Sequence, residues 1–333
     1  MPLVNQKRPA SRYNIFRSAA SRCATGIGLR GNSSRADALT IDVLIGIPGE
    51  NVMLATFPYI LKGIRERAEL EIRERQEVGG IKIDVRYLAP GDFNPETGRQ
   101  PIFRNGHKGE RRGTIVIYPF AESAVEMISR RTPTVSVLEN YSSLGIDSID
   151  TDDTTAISEL VGRLYSLGHT RIGFLSWHYP VRGHWLERRY SGYLRGLGAH
   201  GLKSSREWAH NVHAGGPHLP PGEAARAIAA NMRDSGVTAC VCAADHQAYR
   251  LVQDLEALGL RVPTDFSVTG FDGLEAPFGL PRATSMRVPH EHIGSSALTR
   301  MINRVMYPSS LPRKILVGAQ LVPGETTAPP RRR

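Results

Sequence analysis

The stretch from Val262 to Pro289 constrains the fold more than any other part of the chain. A turn leads into the apolar run 266–271, which is typical of a buried strand, and the run ends on Asp272. In open α/β sheets, ligands bind beside the carboxyl ends of the strands. A loop rich in glycine and proline and a second short extended run follow, with no helix between them. This order of strand, acid, loop and returning strand predicts a chain that crosses between two lobes.

Apolar runs alternate with helical periodicity along most of the chain. The first predicted strand is 40–47, and the helix predicted over 54–77 has apolar residues at three- and four-residue spacing. The same alternation continues beyond residue 149, where Asp152 and Asp153 precede a helix, and the short run 314–317 is predicted to close the second lobe. The β-α-β order predicts an α/β fold of parallel sheets with right-handed crossovers.

Two segments lack this alternation. Residues 90–113 contain many glycines, prolines and arginines, which predicts an exposed loop. Residues 1–36 carry seven basic side chains and no acid, and together with the three arginines at the carboxyl end they match the formal net charge of +10. The body of the protein is therefore near neutral. The basic arm fits three interpretations, which are a DNA-contacting segment, an organellar transit peptide and a disordered tail.

Composition narrows the class of protein and the compartment. The length of 333 residues and the hydrophobic content of 41% fit a globular protein of two domains. Three cysteines give no disulfide framework, so a reducing cytoplasm is expected. The sequence has no apolar run of membrane-spanning length and no signal-peptide core near its start.

Four further stretches accompany the segment 262–289. They are 167–175 (LGHTRIGFL), 189–193 (RYSGY), 239–248 (ACVCAADHQA), and the run from Pro289 through Ile293 to the end at 326–329 (TTAP). The five stretches together resemble the lactose-repressor (LacI) family of sugar-responsive transcriptional regulators. They follow the family order and cover about 290 residues, from Leu39 to Pro329.

The resemblance implies the domain organisation. It implies a two-lobe, periplasmic-binding-protein-like α/β fold in which each lobe is a doubly wound parallel sheet. The expected boundaries are a basic arm over 1–38, a first lobe over 39–148 with 287–310, and a second lobe over 149–286 with 311–328. It also implies a mechanism in which a ligand that touches both lobes favours a closed state.

Two acids and an arginine are the main candidate ligand-binding residues. Asp272 and Asp245 both follow apolar strands, so both carboxylates are expected to reach the cleft between the lobes. A carboxylate accepts hydrogen bonds from adjacent hydroxyls, although a single acid at a strand end is also an ordinary capping residue. The resemblance implies that Arg189 points into the cleft with its fixed fork of donors, whereas its neighbour Arg188 is expected to be solvated.

Aromatic and polar residues near other strand ends complete the candidate site. Trp177 and Trp185 are expected either to stack on the apolar face of a sugar ring or only to cover the edge of a lobe. Asn51, Phe120 and Glu139 follow strands of the first lobe, and the resemblance implies that Glu139 faces the effector.

The family places a helix-turn-helix before the sensor core, followed by a hinge helix that enters the DNA minor groove. Residues 1–38 show no such helix-turn-helix pattern. The run 28–31 resembles the end of a hinge helix in which Leu29 is the intercalating wedge. The candidate DNA contacts are Arg22, Leu29, Arg30 and Arg35.

Motifs of common enzymes are absent from the sequence. There is no G-x-S-x-G, H-E-x-x-H, Walker or C-x-x-C pattern, and the histidines at 290 and 292 are interpreted as an exposed helix start rather than a metal site. We therefore expect no enzyme activity, cofactor or metal. The predicted function is a cytoplasmic, homodimeric transcriptional regulator that binds operator DNA and a small polar effector, a sugar or related polyol. The alternative is a solute-binding sensor without a DNA-binding role, for instance a truncated regulator.

Overall fold

The computed structural model describes residues 27–30 (backbone only), 38–46, 56–74, 80–88, 111–177, 183–212 and 218–331, and these form two α/β lobes. The chain first builds most of one lobe. Its elements are β1 (Ile27–Arg30), β2 (Leu39–Gly46), α1 (Phe57–Glu74), β3 (Gly80–Leu88), β4 (Arg111–Ile117), α2 (Glu122–Ser129), β5 (Thr134–Val137) and β6 (Asp147–Thr151).

The second lobe follows, and the chain then returns to the first. The elements of the second lobe are α3 (Asp153–Ser166), β7 (Ile172–Leu175), α4 (His184–Ala199), β8 (Ala209–His210), α5 (Pro221–Ser235), β9 (Ala239–Cys242), α6 (Asp245–Ala257), β10 (Ser267–Asp272) and β11 (Thr284–Arg287). The last elements are α7 (His290–Met306), which returns to the first lobe, β12 (Lys314–Val317) and β13 (Gln320–Val322).

Each lobe is organised around one mainly parallel sheet. The first sheet has the order β1-β3-β2-β4-β5-β6-β12, and the second has the order β13-β11-β10-β9-β7-β8. All eight residues of β2 are buried, as expected for a central parallel strand covered on both faces by helices. The predicted two-lobe α/β fold is confirmed.

Helix α7 completes the first lobe by packing closely against α1. A side chain at Gly63 would overlap the backbone of Glu291, and one at Gly294 would overlap the backbone of Ile60. The two glycines therefore allow the helix backbones to approach. Because β11 belongs to the second sheet and α7 packs on the first, the chain crosses between the lobes where β11 ends and α7 begins.

The sheets correct two of the predicted lobe boundaries. Strand β6 pairs with β5, and β12 pairs with β6, so both lie in the first sheet. The prediction that 314–317 closes the second lobe is wrong, because the strand at the edge of the second sheet is β13, which pairs with β11. The chain passes between the sheets after Thr151, between β11 and α7, and between β12 and β13.

Two predictions near the amino terminus also change. Residues 27–30 form an edge strand that pairs antiparallel with β3, not the end of a hinge helix. The exposed loop predicted over 90–113 lies largely outside the described residues, and its last three residues, 111–113, begin β4.

Among the helices of the described ranges, none combines the length and the apolar character needed to cross a membrane.

Candidate functional site

Asp272 ends β10 with a backbone conformation that is rare for residues other than glycine. Its φ is 119°, and its carbonyl accepts a hydrogen bond of 3.1 Å from the amide of Val288. The side chain is 11% exposed. The pKa of Asp272 is raised to about 8, chiefly by burial. The charge of Arg189 opposes this shift, and the charges of Asp245 and Asp153 add to it. The acid thus lies at the predicted strand end in a crowded, largely dry setting.

Arg189 lies on α4 and is held beside Asp272 by fixed contacts. Its Nε donates to Oδ1 of Asp153 at 3.0 Å, and its Nη1 donates to the carbonyl of Ala243 at 2.5 Å. The third nitrogen, Nη2, is 3.8 Å from Oδ1 of Asp272, which is beyond direct hydrogen-bonding distance. The structure therefore brings the two main candidate residues together with a small gap between a donor and an acceptor.

Aromatic rings surround this guanidinium. Its carbon lies 3.8 Å from the ring centroid of Phe271 and 4.8 Å from that of Trp185, distances at which a cation interacts favourably with the ring face. Trp177 is half-buried, and its ring meets that of His246 edge to face at 4.9 Å. Both predicted tryptophans therefore lie near strand or helix ends of the second lobe, with Trp185 in contact with Arg189.

Asp245 differs from its prediction because it is completely buried behind Asp272. Its Oδ1 accepts a hydrogen bond of 2.6 Å from Ser285, and its Oδ2 accepts one of 2.7 Å from the amide of Leu274. Burial raises the pKa of Asp245, whereas these hydrogen bonds lower it. Its carboxylate braces the loop that follows β10, and this leaves Asp272 as the acid closer to the surface.

Arg188 also differs from its prediction. Its Nη2 donates to Oδ2 of Asp150 at 2.6 Å, and its Nε donates to Oδ2 of Asp153 at 3.0 Å. Its side chain is only 17% exposed. The expectation that Arg188 is solvated is therefore wrong, and both adjacent arginines of α4 belong to the interior of the site.

Glu139 follows β5 and contacts the second lobe through His184. Its Oε1 accepts from Nδ1 of His184 at 2.6 Å, and its Oε2 accepts from the amide of the same residue at 3.0 Å. Because His184 begins α4, the carboxylate satisfies one of the unpaired amides at that helix start. Glu139 is 2% exposed, and its hydrogen bonds to His184 form a contact between the two lobes.

The remaining predicted residues lie in the first lobe or outside the described part of the chain. Phe120 is half-buried in the first lobe, and its amide donates to Oη of Tyr141 at 2.7 Å. Asn51, Arg22 and Arg35 lie outside the described residues. Leu29 and Arg30 are described by their backbone alone, as part of β1.

Tyr118 is a site residue that sequence reasoning missed. It directly follows β4 with φ of 70°, and its hydroxyl accepts hydrogen bonds of 2.9 Å from the amides of Thr56 and Phe57. Burial raises its pKa to about 12, and the charge of Asp272 contributes to the same shift. The available signal is that Tyr118 directly follows the apolar run of β4, so it lies at a strand end as Asp272 and Glu139 do.

Two histidines near Arg189 are kept neutral. Burial lowers the pKa of His246 to about 4 and that of His290 to about 3, and the charge of Arg189 adds to both shifts. His290 is 5% exposed, so the predicted exposed turn at this position is wrong for its first residue. In the described part of the chain, no group of three or more His, Cys, Asp or Glu side chains is arranged to hold a metal ion.

Two α/β lobes, three passages of the chain between them, and charged side chains at the facing strand ends define the class of periplasmic-binding-protein-like sensor domains. The model of the periplasmic binding protein-like domain matches residues 161–327. That is half of the chain, which therefore belongs to this family. The resemblance to LacI-type regulators is confirmed by the relatives that match.

One such relative is the HTH-type transcriptional regulator MalR of Streptomyces coelicolor, which is 35% identical over 166 residues. The match covers 47% of this chain and 45% of MalR, so the chain spans about half the length of the curated relatives it matches.

Solved structures agree with the fold. A LacI family regulator from Enterococcus faecium with bound ribose superposes with a TM-score of 0.67 at 18% identity, covering 88% of this chain and all of that one. The lac repressor dimer bound to operator and the anti-inducer ONPF gives a TM-score of 0.66 at 19% identity, covering 88% of this chain and 95% of that one.

Proposed function

We propose that this protein is a ligand-responsive transcriptional regulator whose interlobe cleft binds a small neutral polyol, most simply a sugar. The observation that carries the proposal is the 3.8 Å gap between Nη2 of Arg189 and Oδ1 of Asp272. A hydroxyl group both donates and accepts, so one that lies beside this pair, about 2.8 Å from each atom, accepts from the guanidinium and donates to the carboxylate. Two adjacent hydroxyls of a sugar can each form hydrogen bonds with both the guanidinium and the carboxylate.

The surroundings support a neutral ligand with one apolar face. Trp185 and Phe271 lie against the guanidinium, and an aromatic surface favours the C–H face of a sugar ring. The relative with bound ribose is a regulator of the same fold.

The proposal extends to DNA and to a second copy of the chain. MalR is named a helix-turn-helix regulator, and the lac repressor structure is a dimer on its operator. We propose a cytoplasmic homodimer that binds operator DNA, with Arg22, Arg30 and Arg35 as candidate contacts in the basic arm. The buried, unpaired cysteines Cys240 and Cys242 are compatible with a reducing compartment.

The test is fluorescence anisotropy of the purified chain with DNA from the flanks of its own gene, over a series of salt concentrations. A regulator binds selectively over a scrambled duplex, and a sugar changes that affinity. The Arg189→Met variant is expected to keep DNA binding and lose the sugar response, whereas Arg250→Met, which alters an exposed pair on α6, behaves as the wild type. Weak, nonselective binding that modest salt abolishes contradicts the regulator proposal and favours a sensor without a DNA role.

A further inference from the structure

Five ionisable side chains form a continuous line from the first lobe to the tip of β10. The order is Asp150, Arg188, Asp153, Arg189 and Asp272, so that acids and arginines alternate. The first three junctions have nitrogen–oxygen distances of 2.6, 3.0 and 3.0 Å, and only the last, at 3.8 Å, is open. The line therefore ends at the gap that the proposed ligand occupies.

Asp153 joins the two arginines because each of its oxygens serves one of them. Its Oδ1 accepts from Arg189 and its Oδ2 accepts from Arg188, and the residue is 1% exposed. A carboxylate is planar and rigid, so a rotation that follows one guanidinium moves the oxygen held by the other. The orientations of Arg188 and Arg189 are thereby linked.

Arg188 connects this pair of residues to the other lobe. It lies on α4 of the second lobe, whereas Asp150 lies on β6 of the first sheet, just before the chain crosses between the lobes. The carboxylate of Asp150 is 2% exposed and the guanidinium of Arg188 is 17% exposed. In such a poorly hydrated place, a charge that loses its counterion is costly, so the pair resists separation.

We propose that Arg188 is a positioning residue that couples the cleft to the arrangement of the lobes: through Asp153 it sets the orientation of Arg189, and through Asp150 it ties that orientation to the first lobe. A ligand that draws Arg189 toward Asp272 then acts on the interlobe pair without touching it. The inference rests on the proposed function, because it takes Arg189 to be a ligand contact.

The charge state of Asp150 provides a way to weaken the connection in the wild-type protein. Burial raises the pKa of Asp150 to about 7, with Asp153 on α3 and Glu139 after β5 also raising it and Arg188 on α4 lowering it. Asp150 is therefore mostly charged above this pH and mostly protonated below it. The pair with Arg188 is expected to weaken as the pH falls through neutrality.

The first part of the test measures the separation of the lobes directly. Spin labels are attached to cysteines introduced at the exposed positions Glu69 on α1 and Glu256 on α6, with Cys23 replaced by serine, and the distance distribution is recorded at about pH 6 and about pH 8.5. We expect a narrower distribution at the higher pH in the wild type. Arg188→Met and Asp150→Asn should give the broad distribution at both pH values.

Two further variants separate positioning from a general loss of structure. Arg188→Lys keeps the charge but lacks the planar fork, so it should restore the narrow distribution only in part. Arg250→Met, which removes an exposed pair with Asp254 in the second lobe, should match the wild type. The proposal is overturned if Arg188→Met matches the wild type at both pH values, or if Asp150→Asn keeps the wild-type dependence on pH.

The second part of the test uses calorimetric titration with ribose, glucose and cellobiose. We expect Arg188→Met to weaken binding by about tenfold and Arg188→Lys by less. Unchanged affinity in Arg188→Met overturns the coupling, even where the lobe distances change. If the wild type binds none of the three sugars while the distance results hold, the sugar specificity of the proposed function fails and the interlobe role of Arg188 stands.

Discussion

Asp272 combines a strained backbone with a carboxyl group whose charge is suppressed by its surroundings. Its φ of 119° is maintained by the pairing of β10 with β11 and by the contacts of the following loop. Because the pKa of Asp272 is raised to about 8, chiefly by burial, a large fraction of the group is protonated at neutral pH. The acid can therefore present a donor as well as an acceptor to a hydroxyl group.

This raised pKa predicts how stability depends on pH. A buried acid with a raised pKa contributes stability that is fully present below its ordinary pKa and is lost as the pH rises through about 8. Asparagine does not titrate, so Asp272→Asn should become more stable relative to the wild type, by more than about 1 kcal/mol between about pH 5 and about pH 9. Urea unfolding at several pH values measures the difference. Parallel curves for the two proteins would show that Asp272 is not buried as described.

At the residue scale, the sequence predicts the positions of the candidate residues better than their contacts. The strand end after 266–271 predicts the position of Asp272, and the resemblance to the LacI family implies that of Arg189. Arg188 was mistaken for a solvated residue because two adjacent helical arginines differ by about 100° in direction, and only the fold shows which acids lie on each side. Asp245 and Glu139 were placed near the cleft, but their hydrogen bonds to distant amides are not visible in a sequence.

Helix α1 shows how an element depends on a residue far away in the chain. Its first amides are satisfied by the hydroxyl of Tyr118, which lies at the end of β4, and not by a local capping side chain. The same hydroxyl contacts Oγ1 of Thr56 at 2.8 Å. Tyr118 therefore fixes the start of α1 to the strand end that faces the cleft.

Removing this hydroxyl should destabilise the first lobe. Tyr118→Phe leaves two amides at the helix start without an acceptor, so we expect a loss of about 1–2 kcal/mol in the free energy of unfolding, measured in urea. Tyr307→Phe is the matched control, since Tyr307 is 63% exposed and should change stability little. An equal effect of the two substitutions would rule out the capping role.

At the element scale, the sequence predicts long periodic segments and short strands, but it does not predict which sheet the short strand β12 joins. Strand β2 lies within one residue of its predicted bounds and helix α1 within three, because their apolar patterns are long and regular. Strand β12 has only four residues with alternating exposure, so it fits the edge of either sheet equally well from its sequence. Its pairing with β6 places β12 in the first sheet, and that pairing joins residues more than 160 positions apart in the sequence.

At the scale of the whole molecule, the two lobes are joined by side-chain contacts as well as by the connecting segments of the chain. Glu139 with His184 and Asp150 with Arg188 are ion-pair or hydrogen-bond contacts between them, and both reach α4. The two-lobe architecture was predictable because alternating strands and helices allow few other arrangements. The side-chain contacts between the lobes were not predictable, since they depend on the relative orientation of two folded lobes.

The proposed homodimer is testable on the exposed loop after β10. Phe278 is fully exposed in this chain, so its ring is available to pack against a second copy. We expect sedimentation velocity to give twice the mass of the chain, and Phe278→Glu to weaken association by about tenfold or more. Leu194→Glu, on the outer face of α4, is the control and should leave the dimer intact. A wild-type chain that sediments as a monomer contradicts the dimer.

The most direct measurement for the whole account is isothermal titration calorimetry of the wild type and Asp272→Asn with a panel of neutral sugars. The account predicts that at about pH 9, where Asp272 is ionised, at least one sugar binds the wild type and that Asp272→Asn weakens it by about 30-fold or more, since a hydrogen bond to a charged acceptor is lost. Asp254→Asn, an acid on α6 away from the gap, should bind as the wild type does. Binding that is equal in Asp272→Asn and the wild type, or no binding to any sugar of the panel, contradicts a polyol site between Arg189 and Asp272.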